Sequence, residues 1–185
     1  MARKRRKRLV PFKMLPPSPQ ALRLMSWWAT ESPYKDYDGV IADGAIRSAK
    51  TVSALDGFQN WSLDTFKNKD FIVAGKSIGA LRRNVVKPFR SLLSAKDIDH
   101  YWHRSENWIQ VGTNTYHLFG ANNEASQDVV QGMTAAGAFF DEAPLMPQSF
   151  VDQAIGRCSE EGSKLWLTDR DWETSWLASL FAPNK

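Results

Sequence analysis

GAIRSAKT, residues 44–51, differs at one position from the pattern G-x-x-x-x-G-K-[ST] of loops that cradle phosphate groups. Gly44, Lys50 and Thr51 fill their places, and Ala49 stands where the second glycine belongs. Such a loop works where a strand ends in a turn whose successive N–H groups point inward, at the N-terminus of a helix. The helix dipole and the free donors there both favour an anion. The flanks predict that setting. Gly39-Val40-Ile41-Ala42 is a short apolar run, and over 50–66 the residues Val52, Leu55, Phe58 and Leu63 recur at helical spacing. In a loop so placed, the Lys50 ammonium reaches the β- and γ-phosphates and the Thr51 hydroxyl ligates Mg2+. The plain alternative is a βα turn that binds nothing.

Working outward, residues 11–19 hold four prolines and read as an extended connector. Ser18 is then placed to cap a helix carrying Ala21, Leu22, Leu24, Met25, Trp27 and Trp28. Beyond the loop helix, Phe71-Ile72-Val73-Ala74 is a buried-strand candidate, followed by a helix starting at Ser77 with Ile78, Leu81, Val85 and Val86 on its apolar side. Segments 108–111 and 116–119 flank Gly112-Thr113-Asn114, which predicts a hairpin with a three-residue turn. A strand is expected over 136–140, a short helix over 147–157 and a last strand over 164–167. Alternating strands and helices give an α/β fold with a central, mostly parallel sheet, helices on both faces and an antiparallel hairpin excursion.

A second constellation supports the first. A nucleotide-hydrolysing site needs a carboxylate at the end of a buried strand to hold the metal, and Asp141 follows Gly137-Ala138-Phe139-Phe140. Glu142 comes next and is suited to polarising an attacking water, a separate job. A bare strand end entering a turn is the alternative for an isolated Asp-Glu pair. A strand intervening between the loop strand and the acidic strand, with glutamate beside the acid, is the layout of ATPases that move polymers.

Composition sets the frame. The 185 residues are 43% apolar and 24% charged, as in a soluble domain with a full core. Six positive charges, Arg3, Lys4, Arg5, Arg6, Lys7 and Arg8, sit at the start, so the rest of the chain carries a net −2 out of the overall +4. This basic tail is either a solvated segment or a polyanion contact. Cys158 is the single cysteine, and His100, His103 and His117 form no metal-ligand spacing. That points to a reducing compartment, with Cys158 as a packed small residue. No apolar run approaches the ~18 residues that span a bilayer, so no membrane partner is expected. Tyr101, Trp102 and Trp108 with Arg104 read as hairpin packing, with stacking on nucleic acid as the alternative.

Three stretches carry a family resemblance: SPYKDYDGVIADGAIRS at 32–48, QGMTAAG at 131–137, and FDEAPLMPQSFV at 140–151 with Ala154 and RCS at 157–159. Together they resemble the ATPase domain of the large subunit of bacteriophage terminase, over about 18–164. The resemblance implies a P-loop NTPase that binds ATP and Mg2+ and pumps double-stranded DNA into a procapsid. Its partners would be a portal protein, a small terminase subunit and further copies of itself, in the cytoplasm of an infected or lysogenic bacterium. It implies that the loop Gly44, Ala45, Ile46, Arg47, Ser48, Ala49, Lys50 and Thr51 binds the nucleotide, with Arg47 on phosphate and Gln20 at the adenine. Thr51 and Asp141 would hold Mg2+, and Glu142, Lys50 and Arg47 would act in catalysis.

Two departures qualify this. One is Ala49. The other follows Leu165, where the family continues with a polar coupling motif and this chain reads Trp166-Leu167-Thr168-Asp169-Arg170-Asp171-Trp172-Glu173 before Lys185, without the RNase H-like nuclease domain. The expected organisation is a tail at 1–17, the ATPase domain at 18–166 and an atypical end at 167–185. A truncation, a reading-frame shift or a short divergent relative would each explain that end. No nuclease activity is expected, and Asp169, Asp171 and Glu173 are not read as metal ligands. The competing functions are an inactive remnant that binds nucleotide or DNA without turnover, and another helicase-like P-loop ATPase.

Overall fold

The computed structural model describes residues 16–44, 50–123, 128, 130–169 and 176. Ala45, Ile46, Arg47, Ser48 and Ala49 lie outside the described residues, as do the basic tail at 3–8, Asp171 and Glu173.

Seven strands form one sheet: β1 Gly39–Ala42, β2 Asp70–Gly75, β3 His100–His103, β4 Trp108–Val111, β5 Asn114–Gly120, β6 Gly137–Asp141 and β7 Lys164–Thr168. Their order is β1-β7-β6-β2-β5-β4-β3. The first five in that order pair in parallel, whereas β4 and β3 pair antiparallel. The α/β architecture read from the sequence is therefore the one observed. The strand between loop and acidic strands is β7, which comes last in the chain.

Helix α1 (Pro19–Ser26) starts at Ser18, whose hydroxyl accepts from the Ala21 N–H at 3.2 Å. The loop helix α2 covers Lys50–Thr65. Helices α3 (Ile78–Leu81) and α4 (Lys87–Ala95) are joined by a π-helical turn, Arg82–Val86, for which the sequence carries no signal. Ser77 caps the start, accepting from Ala80 N–H at 3.2 Å. Helix α5 is Gln148–Arg157.

Alternation along the strands sends side chains to two cores, as successive residues point to opposite faces. Phe71, Val73, Phe139 and Trp166 join α2 and α4 on one face, and Ile72, Ala74, Phe140, Leu165 and Leu167 join α5 on the other. Phe58 of α2 sits at the middle of the first core, its ring 5.4–6.0 Å from those of Trp61, Phe71, Tyr116, Phe139 and Trp166. Each aromatic pair adds about 0.5–1.5 kcal/mol beyond the area it buries. Helix α1 crosses α2 where Gly57 lacks a side chain: a Cβ there would lie 2.8 Å from the Leu24 carbonyl oxygen. That close approach fixes α1 against the middle of the loop helix.

Three expectations are corrected. The hairpin turn has two residues, Gly112 and Thr113, because Asn114 already pairs with Val111. Asn114 is held inward by donating to the Ser62 and Phe66 carbonyls, which makes it strand instead of turn. The excursion also has a third strand, β3. Finally, the last strand does not stop at Leu167 but ends at Thr168, level with Ala42.

Candidate nucleotide site

The site forms where strands β1, β7, β6 and β2 end. The register sets Ala42 beside Thr168, and Asp141 beside Gly75, so the four carboxyl ends stand in one row. After β1 the chain turns at Gly44, whose φ of 141° lies in the region that favours glycine. Its N–H donates to Asp43 Oδ1 at 2.7 Å. Lys50, the first residue of α2, folds its ammonium back onto the Gly44 carbonyl oxygen. Thr51 follows, half-buried, in the first turn of the same helix. The Lys50 ammonium thus ties the start of α2 to the Gly44 turn.

The acidic pair lies two strands away, roughly 10 Å across the sheet at the usual interstrand spacing. Asp141 is the buried last residue of β6, at 6% exposure. Glu142 then adopts a left-handed conformation, φ 52° and ψ 58°. For a side chain other than glycine that backbone costs about 1–3 kcal/mol and persists only where its surroundings impose it. Thr168 supplies the constraint. Its Oγ1 accepts from the Glu142 N–H at 2.9 Å and donates to Asp141 Oδ1 at 3.3 Å. Thr168 is fully buried, and the next residue, Asp169, donates its N–H to the Ala42 carbonyl at 3.1 Å. One hydroxyl thereby joins both carboxylate residues, and the strand that carries it is bonded to the loop strand.

A cleft of about 570 Å3 opens between α1 and β1. Gln20 lines it together with Gly44, Lys50 and Ser53, and Tyr34 and Tyr37 form part of its wall. Thr51, Asp141 and Glu142 do not line it, so the cleft extends from the loop away from the acids. The segment before β1 is tied down by Lys164, which donates to the Lys35 and Tyr37 carbonyls at 2.6 and 2.7 Å and lies 4.8 Å from the Trp27 ring centre. Burial pulls the Lys164 ammonium below its ordinary pKa, with Asp38 and Asp36 acting in the opposite sense.

Gln20, Gly44, Lys50, Thr51, Asp141 and Glu142 are therefore distributed along one end of the sheet. Sequence reasoning misses Thr168 and Lys164. Thr168 closes the apolar run KLWLT as Asp141 closes GAFFD, a signal open to reading; Lys164 bears none. Cys158 is a packed residue, its thiol donating to the Ala154 carbonyl at 3.4 Å and pushed up to about 12 by burial. Among the described residues, no helix is long and apolar enough to cross a membrane.

A parallel sheet whose first strand leads through a glycine turn into a helix, with an acidic pair ending a strand two places away, defines an α/β fold of the P-loop NTPase type. No protein-family model and no curated protein matches the chain. Among solved structures, the large terminase of a thermophilic bacteriophage superposes with a TM-score of 0.82 and 41% identity, covering 90% of this chain and 43% of that one. The same terminase in complex with ADP gives 0.81 and 39%, covering 89% and 43%. A mutant ATPase domain of the Thermus phage P74-26 large terminase shares the fold at 0.59 and 13%, covering 90% of this chain and 75% of that one. The chain belongs to the bacteriophage large-terminase family, in the ATPase domain, and spans under half the length of the thermophilic phage's protein.

Proposed function

We propose that this chain binds Mg-ATP and hydrolyses it as the motor domain of a DNA-packaging terminase, acting on double-stranded DNA with a portal protein, a small terminase subunit and further copies of itself, in the cytoplasm of the phage's host. The observation that carries this reading is the Thr168 bridge joining Asp141 and Glu142, on a strand bonded to the loop strand. The thermophilic phage's terminase was solved with ADP and with ATP-gamma-S, which supports nucleotide as the ligand.

The residues fit the group. Bound Mg-ATP supplies the phosphoanhydride to be cleaved and a metal that neutralises charge on the phosphates. Lys50 leaves the Gly44 carbonyl for phosphate, a stronger partner for an ammonium than a neutral oxygen. Thr51 and Asp141 hold the metal, Arg47 contacts phosphate, and Gln20 with Tyr34 and Tyr37 receives the base in the cleft. Glu142 takes the proton of the attacking water. Glu142 leaves the strand that Asp141 closes in a left-handed conformation, and the two carboxylates are assigned different roles. The ATPase unit is assigned to 18–166, with the end of β7 added to it by this reading.

Ala49 favours a second reading, nucleotide binding without turnover. Glu142→Gln and Asp141→Asn divide the two. On the first reading Glu142→Gln binds Mg-ATP nearly as the parent does while steady-state hydrolysis falls roughly 100-fold or more, and Asp141→Asn weakens metal-dependent binding itself. A parent chain that binds but shows no turnover supports the remnant; equal binding losses from both changes overturn the role assignment.

A further inference from the structure

The far end of the sheet holds a second cationic cavity that nucleotide chemistry does not use. Strand β3 is the edge opposite β1, six strand positions away, or roughly 30 Å. His103 pairs with Trp108 and Trp108 with His117 of β5, which runs parallel to β2, so the 104–107 turn lies at the same end of the sheet as Asp141. A cavity of about 490 Å3 opens there, lined by Arg82, Tyr101, His103, Arg104 and Ser105.

Its construction points to an anion. Arg82 begins the π-helical turn, a feature frequent at functional sites. Its Nη2 donates to the Arg104 carbonyl at 3.0 Å and to Asn107 Oδ1 at 2.7 Å, holding the turn, while its buried Nε has no acceptor. Neither Arg82 nor Arg104 has a carboxylate partner among the described residues. The nearby acid, Glu106, accepts from the Trp108 indole at 2.9 Å and faces His103 at 3.6 Å. Beside the guanidiniums stands a ring platform. His103 stacks on Trp108 with centres 4.8 Å apart, and Tyr101 lies 5.8 Å from Trp108 at 59% exposure. Two guanidiniums without carboxylates, together with the hydroxyls of Tyr101 and Ser105, match the donors that phosphate oxygens accept. An open site with aromatic walls suits a strand running past it more than an enclosed small anion.

We infer that the Arg82–Arg104 cavity at the β3–β4 turn is a contact for the phosphate backbone of DNA. The inference rests on the proposal that the chain acts on DNA. Arg82 steadies the turn, and Arg104, exposed with its guanidinium 5.9 Å from the Trp102 ring centre, is the phosphate contact. The site lies on the same sheet end as the nucleotide loop but at the opposite edge, so one strand of DNA phosphates can be held without blocking the cleft.

The test is duplex-DNA affinity of the full chain between roughly 50 and 300 mM salt, for the parent, Arg104→Gln and Arg104→Lys, with binding of a fluorescent ATP analogue as control. Removing one phosphate contact lowers the log–log salt slope by about 0.9 and affinity at about 0.1 M salt by about eightfold, equally for all sequences. Arg104→Gln is expected to show both, Arg104→Lys to keep the slope, and nucleotide affinity to stay unchanged in each. If the parent binds DNA and Arg104→Gln keeps its slope, or if Gln and Lys behave alike, the cavity is not a phosphate site and the DNA-packaging reading stands. A parent that binds the nucleotide analogue but no DNA overturns the cavity and the DNA part of that reading together.

Discussion

Replacing Thr168 with valine removes one hydroxyl and almost nothing else, and the structure assigns that hydroxyl two bonds. Without it the Glu142 N–H loses its acceptor at 2.9 Å and Asp141 loses a donor at 3.3 Å, at a fully buried position. Leaving a buried donor without a partner costs about 1–3 kcal/mol. The strain of the left-handed Glu142, of similar size, is also no longer opposed by a bond that requires it. Taking about 2 kcal/mol as the net loss, Tm falls by roughly 4–8 °C, at about 2–4 °C per kcal/mol for a domain of this size. On the proposed role of Glu142 as general base, freeing it to relax is expected to lower hydrolysis about 100-fold. Thr168→Ser keeps the oxygen and retains most of both. The assays are differential scanning calorimetry and steady-state phosphate release, run on both variants and the parent. A valine variant that melts within about 1 °C of the parent, well inside the expected shift, and turns over at the parental rate would falsify the bridge as a constraint on the acidic pair.

Ala49→Gly, at a position outside the described residues, is expected to tighten ATP binding by up to about tenfold, or ~1.4 kcal/mol, if the alanine methyl crowds the phosphates; equal or weaker binding by isothermal titration shows the methyl to be harmless. Cys158 should resist alkylation by iodoacetamide at about pH 8 in the native protein and react once urea unfolds it, because burial holds its thiol at about 12. The sign for stability follows from a folded pKa raised above the ordinary 9.0: the contribution is complete below about pH 9 and disappears as pH rises towards 12. Cys158→Ser should therefore flatten the alkaline limb of the Tm profile between those values, and an unchanged limb counts against the assignment.

The parts of the fold that local chemistry encodes are readable. Gly44, Lys50 and Thr51 lie at a strand-to-helix turn, and Asp141 ends an apolar run, so each announces its element from neighbours alone. What escapes is set by tertiary contacts. His100–His103 offers polar and aromatic residues in place of an aliphatic run, and becomes a strand because Trp102 packs against the first core and the ladder to β4 is available. The π turn at 82–86 has no residue preference to display. Thr168 escapes because the family's coupling motif is sought by its letters, whereas the observed geometry needs only a hydroxyl two strands from β2 and one from β1. Lys164 acts through backbone carbonyls of a segment far away in the chain, and no spacing rule reaches that far.

The order of the strands also dictates when the protein can become itself. The neighbour of β1 within the described sheet is β7, so Gly39 waits for Leu165 and Ala42 for Thr168. At about 5–20 residues per second of synthesis, on the order of ten seconds separate the emergence of the two partners. During that interval the loop strand has no ladder, and a pairing so distant in sequence is slow to find even when both halves are present. A nascent chain can assemble β2 with the β3–β5 meander long before it can hold a nucleotide. The site waits for β7, and the residue of that strand which reaches it, Thr168, is the one that also joins its two acids.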